Sequence, residues 1–293
     1  MTPNIGKVTY CVILSVLTVT TPVIAQSKNP PAAVKTPESR FVMVNGVRLH
    51  YLDWGGKGEA MLFLTALGGT AGDFQPLAIH FTDHFHVLGL TRRGQGQSDK
   101  PHTGYDTYTL TEDINGFLDT MGIQRVTLVG YSLAGNEETE FAGRYHPRVA
   151  KLVYLDAAYD LAENAELGRQ AHLDLPPLPG ADQATLELIA RSNEYHPDYS
   201  RIESPALGFF VTYDEAPRSP LWDEATKKKL LAFWNNYGKA YRREQIERFQ
   251  AGIKRATVVE LHNTTHGGFV FDPRQQAILI REMRKFLIEP NSP

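Results

Sequence analysis

Ser132 stands in Gly130-Tyr131-Ser132-Leu133-Ala134-Gly135, directly after the apolar run Val126–Val129 and directly before a helix-like stretch. A serine hydroxyl attacks a carbonyl only when a base takes its proton and the backbone presents the oxygen to the substrate. A strand–turn–helix setting does the presenting. This is the nucleophile-elbow pattern, with Ala134 in the place of the usual second glycine. So sharp a turn needs small residues two before and two after the serine, and Gly130 and Ala134 meet that need. The same turn directs the Leu133 N–H, at the start of the helix, toward the reacting oxygen. Of the ten histidines, His266 is the best placed base. It lies in the loop Asn263-Thr264-Thr265-His266-Gly267-Gly268, after the last apolar run and before the final helical pattern, in the chain order this chemistry uses. His262 competes, but at the strand's end rather than in the loop. His80, His84 and His86 cluster at a helix–strand junction with no ligand spacing or carboxylate pair of a metal site.

The elements that must position these residues are read from periodicity. Phe41–Val44 and Val47–Trp54 form two strands joined at Asn45-Gly46, a hairpin-turn dipeptide. Further strands are expected at Ala60–Leu64, His86–Leu90, Val126–Val129, Val149–Leu155, Ala206–Val211 and Thr257–Leu261. Helical patterns fill 73–83, 108–121, 135–145 and 274–288. Apolar strands alternating with helices imply an α/β fold with a mostly parallel central sheet flanked by helices. Ligands of such sheets bind at the carboxyl ends of the strands, where Ser132 and His266 both fall. Two stretches break the alternation. Residues 157–204, with Leu175-Pro176-Pro177-Leu178-Pro179 and a helical 183–194, read as a small helical cap inserted in the fold. A second helical insertion, 220–252, carries Trp222, Phe233, Trp234, Tyr237 and Tyr241, read as packing against the main body.

Three further motifs accompany the elbow: Leu62-Phe63-Leu64-Thr65-Ala66-Leu67-Gly68-Gly69, Arg92-Arg93-Gly94-Gln95-Gly96-Gln97-Ser98-Asp99-Lys100-Pro101, and the His266 loop. With them the chain, over residues 41–290, resembles α/β-hydrolase-fold proteins of the esterase, epoxide hydrolase and haloalkane dehalogenase type. The second motif is close to the family's R-G-x-G-x-S-D loop, which is mainly architectural, so Arg93, Ser98 and Asp99 receive no chemical role. The resemblance implies that Ser132 attacks a carbonyl. Epoxide hydrolase and dehalogenase chemistry is disfavoured, because those enzymes place Asp at the elbow. It also implies an oxyanion hole from the backbone N–H groups of Leu67 and Leu133. The family's His-Gly after the third strand is Thr65-Ala66 here, a departure that backbone donors survive. Related enzymes take the acid that orients the histidine from the end of one of two strands. Asp156 closes the apolar Leu152-Val153-Tyr154-Leu155, where a buried carboxylate requires a partner. Asp214 follows the next strand, with Val211 in the place of the usual glycine. Asp156 is the first choice and Asp214 the alternative.

Composition fits this reading. The chain has 293 residues, a net charge of −3, 42% apolar and 22% charged residues, and interspersed signs. Nucleic acid is not an expected partner, since the basic run Lys227-Lys228-Lys229 reads as a solvated helix face. Residues 1–25 carry Lys7, an apolar run Val8–Val19 and the terminus Val23-Ile24-Ala25, the shape of a secretory signal peptide cleaved after Ala25. The run is short for a membrane span, so no stable span is expected after cleavage. Residues 26–40 read as a flexible linker. The single cysteine, Cys11, lies in the leader, so the exported protein has no thiol. No Walker, dinucleotide-binding or zinc motif is present, and no cofactor or metal is expected. The expectation is an exported, cofactor-free serine hydrolase acting on a small-molecule acyl substrate, a small or medium carboxylic ester or related compound. Lactone, amide, C–C bond or peracid chemistry, or a catalytically silent binding module of the same fold, are the alternatives. Nothing in the sequence sets the oligomeric state.

Overall fold

The computed structural model describes residues 36–175, 178, 180–212 and 223–289. The leader expected at 1–25, most of the expected linker, Asp214 and Trp222 lie outside the described residues. Eight strands make one sheet: β1 (Glu38–Val44), β2 (Val47–Gly55), β3 (Ala60–Leu64), β4 (His86–Leu90), β5 (Val126–Tyr131), β6 (Val149–Leu155), β7 (Ala206–Val211) and β8 (Ala256–Leu261). Their spatial order is β1-β2-β4-β3-β5-β6-β7-β8. The pairs β1–β2 and β2–β4 are antiparallel, and every pair from β4 to β8 is parallel.

Five expected strands reappear at or within two residues of their expected ends, because each is a continuous apolar run that a sheet covered on both faces must bury. The amino-terminal boundary is corrected. Glu38, Ser39 and Arg40, expected in the linker, are strand, paired with Asp53, Leu52 and Tyr51. β1 is an edge strand with most of its residues exposed, so its start carries no apolar signal.

The helices are α1 (Gln75–Ala78), α2 (Thr107–Thr120), α3 (Ala134–Arg144), α4 (Leu161–Gln170), α5 (Gln183–Ser192), α6 (Glu224–Phe233), α7 (Lys239–Gly252), α8 (Gly268–Phe271) and α9 (Pro273–Ile288). The helix expected at 73–83 is shorter: a 3-10 turn at Ala71–Phe74 runs into the single turn α1. Alternation along the strands divides the core into two layers. Leu62, Leu128, Leu152 and Tyr154 face Ile114, Phe117, Phe141 and Phe249 of α2, α3 and α7. Met61, Phe63, Val129 and Val153 face Leu77, Leu279, Met283 and Leu287 of α1 and α9. Helices α4 and α5 fall between β6 and β7, and α6 and α7 between β7 and β8. A π-helical turn, Trp234–Gly238, joins α6 to α7. Of the aromatics expected to pack there, Phe233, Trp234 and Tyr241 are buried, whereas Tyr237 is exposed. Among the described residues no helix is long and apolar enough to cross a membrane.

Candidate active site

Ser132 and Asp156 each sit one residue beyond the carboxyl end of neighbouring strands, β5 and β6. The ladder continues through both: Ser132 N–H donates to Leu155 O at 3.2 Å, and Asp156 N–H to Phe209 O at 2.9 Å. Both backbones are left-handed, φ 58° at Ser132 and 47° at Asp156, a region that side-chain-bearing residues seldom occupy. Such conformations persist only where the surroundings over-determine them.

The packing around the elbow shows what does so. A Cβ on Gly130 would lie 2.5 Å from the Glu138 carboxyl, and Ala134 is fully buried. The tightest approach comes one residue later than sequence reasoning placed it. A Cβ on Gly135 would lie 1.8 Å from Ala157 O, so α3 leans directly on the chain leaving Asp156.

His266 lies beyond β8, buried, and completes a hydrogen-bonded line. Its Nδ1 is 2.6 Å from Asp156 Oδ2 and its Nε2 is 2.7 Å from Ser132 Oγ. An ionised carboxylate only accepts, so Nδ1 carries the proton and the Nε2 lone pair faces the hydroxyl. Tyr131, beside the serine, donates its hydroxyl to the His266 carbonyl at 2.7 Å and packs its ring 5.4 Å from the imidazole. Burial raises the Tyr131 hydroxyl, so it stays a neutral donor. The competing His262 is exposed and hydrogen-bonded to Thr212 Oγ1 at 2.8 Å. Of the other three histidines, His86 pairs with Asp53 and His84 with Asp83, and His80 lends its carbonyl to Arg284.

Asp156 is wholly buried, and its second oxygen is heavily bonded. Oδ1 accepts from Val211 N–H at 2.9 Å, from Arg242 Nη1 at 2.6 Å and from the Tyr159 hydroxyl. Arg242 was invisible to sequence reasoning: it belongs to α7, where an arginine in a charged helical stretch reads as solvent-facing. Asp214 cannot be compared, since it lies outside the described residues.

Leu67 follows β3 in the turn 65–70, and Leu133 precedes α3, where helix-starting N–H groups have no intrahelical acceptor. Arg92 ties down the first of these turns, donating to Thr65 O at 2.7 Å and Ala66 O at 3.4 Å, while its Nε lies 2.5 Å from Glu137 on α3. One guanidinium thus joins both loops. Arg93 pairs in two-pronged fashion with buried Asp113, each contact 2.6 Å, which fits an architectural role for this loop. Glu138, one turn into α3, is buried beside Gly130. Its carboxyl is pushed well above the usual range, burial being the main cause.

The family model of the alpha/beta hydrolase fold matches residues 59–194. The chain has the α/β-hydrolase fold. It is 35% identical over 118 residues to 2-(acetamidomethylene)succinate hydrolase of Mesorhizobium japonicum, a match covering 40% of this chain and 42% of that protein. It is 27% identical over 168 residues to a non-heme chloroperoxidase of Streptomyces lividans, covering 56% and 59% respectively. These α/β-hydrolase matches therefore span less than two thirds of either relative. The solved structure of E-2-(acetamidomethylene)succinate hydrolase superposes with a TM-score of 0.59 at 22% identity, over 86% of this chain and 99% of that one. At that identity the likeness is one of fold.

Proposed function

We propose that this protein is an exported serine hydrolase that cleaves small or medium carboxylic esters or related acyl compounds. The observation that carries the reading is the unbroken line Ser132 Oγ–His266 Nε2, His266 Nδ1–Asp156 Oδ2, at 2.7 and 2.6 Å, at the carboxyl edge of the sheet. In this reading Ser132 Oγ attacks the acyl carbon as its proton passes to His266 Nε2. Asp156 holds the imidazole in the tautomer that can receive it and stabilises the imidazolium. Leu67 and Leu133 N–H donate to the oxygen that becomes negative. The tetrahedral adduct collapses, and the leaving group departs with the proton from His266. Water, deprotonated by His266, then attacks the acyl-enzyme and frees the acid and Ser132.

Several observations support the roles. Oxyanion donors must be in place before charge develops, and Arg92 fixes the turn carrying Leu67 through two carbonyls while bonding the helix that follows Leu133. The positive end of α3 adds its field to the Leu133 donor. No step of this cycle uses a cofactor or metal. Residues 1–25 are proposed to direct export and to be removed, which places the reaction outside the cytoplasm.

The test is a panel of p-nitrophenyl esters of graded acyl length, with lactones alongside, assayed on wild type and Ser132→Ala. Hydrolysis of short or medium esters that vanishes in Ser132→Ala supports the proposal. Turnover of lactones alone would move the substrate class. Hydrolysis surviving in Ser132→Ala would overturn the serine mechanism.

A further inference from the structure

Arg242 lies on the far side of Asp156 from His266, and it is almost entirely buried, 4% exposed. Its Nη1 donates to Asp156 Oδ1 at 2.6 Å and also to the Tyr159 hydroxyl, which itself donates to the same carboxylate oxygen. Its guanidinium carbon stands 4.2 Å over the Tyr159 ring and 5.8 Å from that of Trp234. An ordinary orienting acid needs only hydrogen bonds. Here a full positive charge is buried against it, 86 residues away in sequence.

The fold takes trouble to place that charge. The π-helical turn Trp234–Gly238 inserts a residue between α6 and α7, which rotates everything beyond it by about 100° about the helix axis. Beyond it, Tyr241, Arg242, Gln245 and Phe249 form the buried face of α7. Tyr241 donates to Asp160 O at 2.6 Å, Gln245 accepts from Asp160 N–H at 3.0 Å, and Arg248 pairs with Glu163 at 2.7 Å. Arg242 is thus one contact of a polar seam that fastens α7 along the chain leaving Asp156.

We infer that Arg242 is a positioning residue of the Ser132–His266–Asp156 site, holding Asp156 aimed at His266 while opposing the charge that His266 acquires. The inference rests on the hydrolase reading of that site. With Arg242 present, Asp156 already faces one positive charge, and protonating His266 brings a second against the same carboxylate. Without it, the same protonation would neutralise a lone carboxylate. Arg242 therefore opposes, by its charge, the build-up of positive charge on the imidazole.

Among the described residues, the other titratable groups around the pair do not supply this charge. Tyr131 of β5 and Tyr159 are neutral donors. Asp73, in the turn before α1, is anionic when ionised and caps the Thr70 N–H. Arg92 is committed to Glu137, and Arg243 of α7 pairs with Glu260 on β8. Glu138 carries its burial-raised carboxyl on the α3 side of the elbow.

The test compares Arg242→Met and Arg242→Lys with wild type in the full chain. The ring resonances of His266 are titrated by NMR, and kcat/KM for a p-nitrophenyl ester is followed against pH. In Arg242→Met the His266 midpoint rises by about one pH unit, and the acid limb of kcat/KM moves with it, with kcat falling more than KM changes. Arg242→Lys keeps the charge, so its midpoint stays near wild type although the guanidinium stacked over the Tyr159 ring is lost. A midpoint unchanged or lowered in folded Arg242→Met overturns the inference. Should Arg242→Met not fold, a midpoint raised in Arg242→Lys as far as the charge-loss value overturns it instead. The titration needs no turnover: loss of ester hydrolysis in wild type would count against the hydrolase reading alone, and the shift would still test Arg242.

Discussion

Gly135→Ala puts one methyl group where the site has no room for it. Its carbon would lie 1.8 Å from Ala157 O, 2.6 Å from the Ala157 carbonyl carbon and 3.0 Å from its Cβ. Opening the closest contact to an ordinary separation needs about 1.2 Å of relative movement between α3 and the chain leaving β6, and that contact is with backbone, which cannot swing aside. Ser132 lies three residues before Gly135 and Asp156 one residue before Ala157, so the movement falls on both ends of the line through His266. A misplacement of about 1 Å at reacting atoms lowers catalysis about 100-fold, and overpacking of this kind costs about 1–3 kcal/mol of stability. The assay is kcat/KM on the best ester of the panel beside a calorimetric Tm. Gly72→Ala is the control, because its Cβ would meet only Thr70 Oγ1 at 3.5 Å. If Gly135→Ala kept kcat/KM within about threefold of wild type at unchanged Tm, the geometric argument for this elbow would be wrong.

Other expectations follow from single contacts. Burial raises the Glu138 carboxyl above its ordinary 4.5, so the folded chain holds a proton that the unfolded chain releases, and stability falls as pH rises above that value. Glu138→Gln removes the dependence: its Tm advantage over wild type grows from pH 4.5 upward, and an advantage that shrinks with pH would contradict the assignment. Asp156→Asn lowers kcat by about 10⁴-fold by mis-setting the His266 tautomer, while Asp214→Asn leaves it within several-fold; the reverse ranking in steady-state kinetics would make Asp214 the acid. N-terminal sequencing of the protein recovered outside the cytoplasm yields Gln26 as the first residue, whereas an intact Met1 would speak for a retained leader.

Much of this was legible because the candidate site sits where strands end. Continuous apolar runs such as Ala60–Leu64 and Val149–Leu155 mark buried parallel strands, and the residues just beyond them are few enough to weigh one by one. Ser132, His266 and Asp156, the last with Asp214 as its alternative, were singled out in that way, and the structure brings the three together. What escaped were groups whose role depends on a partner far along the chain. Helix α3 reads polar, Ala-Gly-Asn-Glu-Glu-Thr-Glu, yet Glu137, Glu138 and Glu140 are all buried, two of them because arginines from distant segments reach them. Arg242 escaped for the same reason. The start of β1 escaped because an exposed edge strand has no apolar face to betray it. Gly135 escaped because a close approach of backbone to backbone leaves no trace in local sequence beyond the glycine itself.

The central claim is that Ser132 is a nucleophile activated by His266, and covalent labelling tests it most directly. The folded protein is treated with a fluorophosphonate and its intact mass and peptides are measured, with Ser132→Ala and His266→Ala in parallel. The account predicts one adduct per chain on Ser132, absent in Ser132→Ala and slowed by orders of magnitude in His266→Ala. A folded wild-type protein that acquires no adduct on Ser132, or one that labels equally fast without His266, would contradict it.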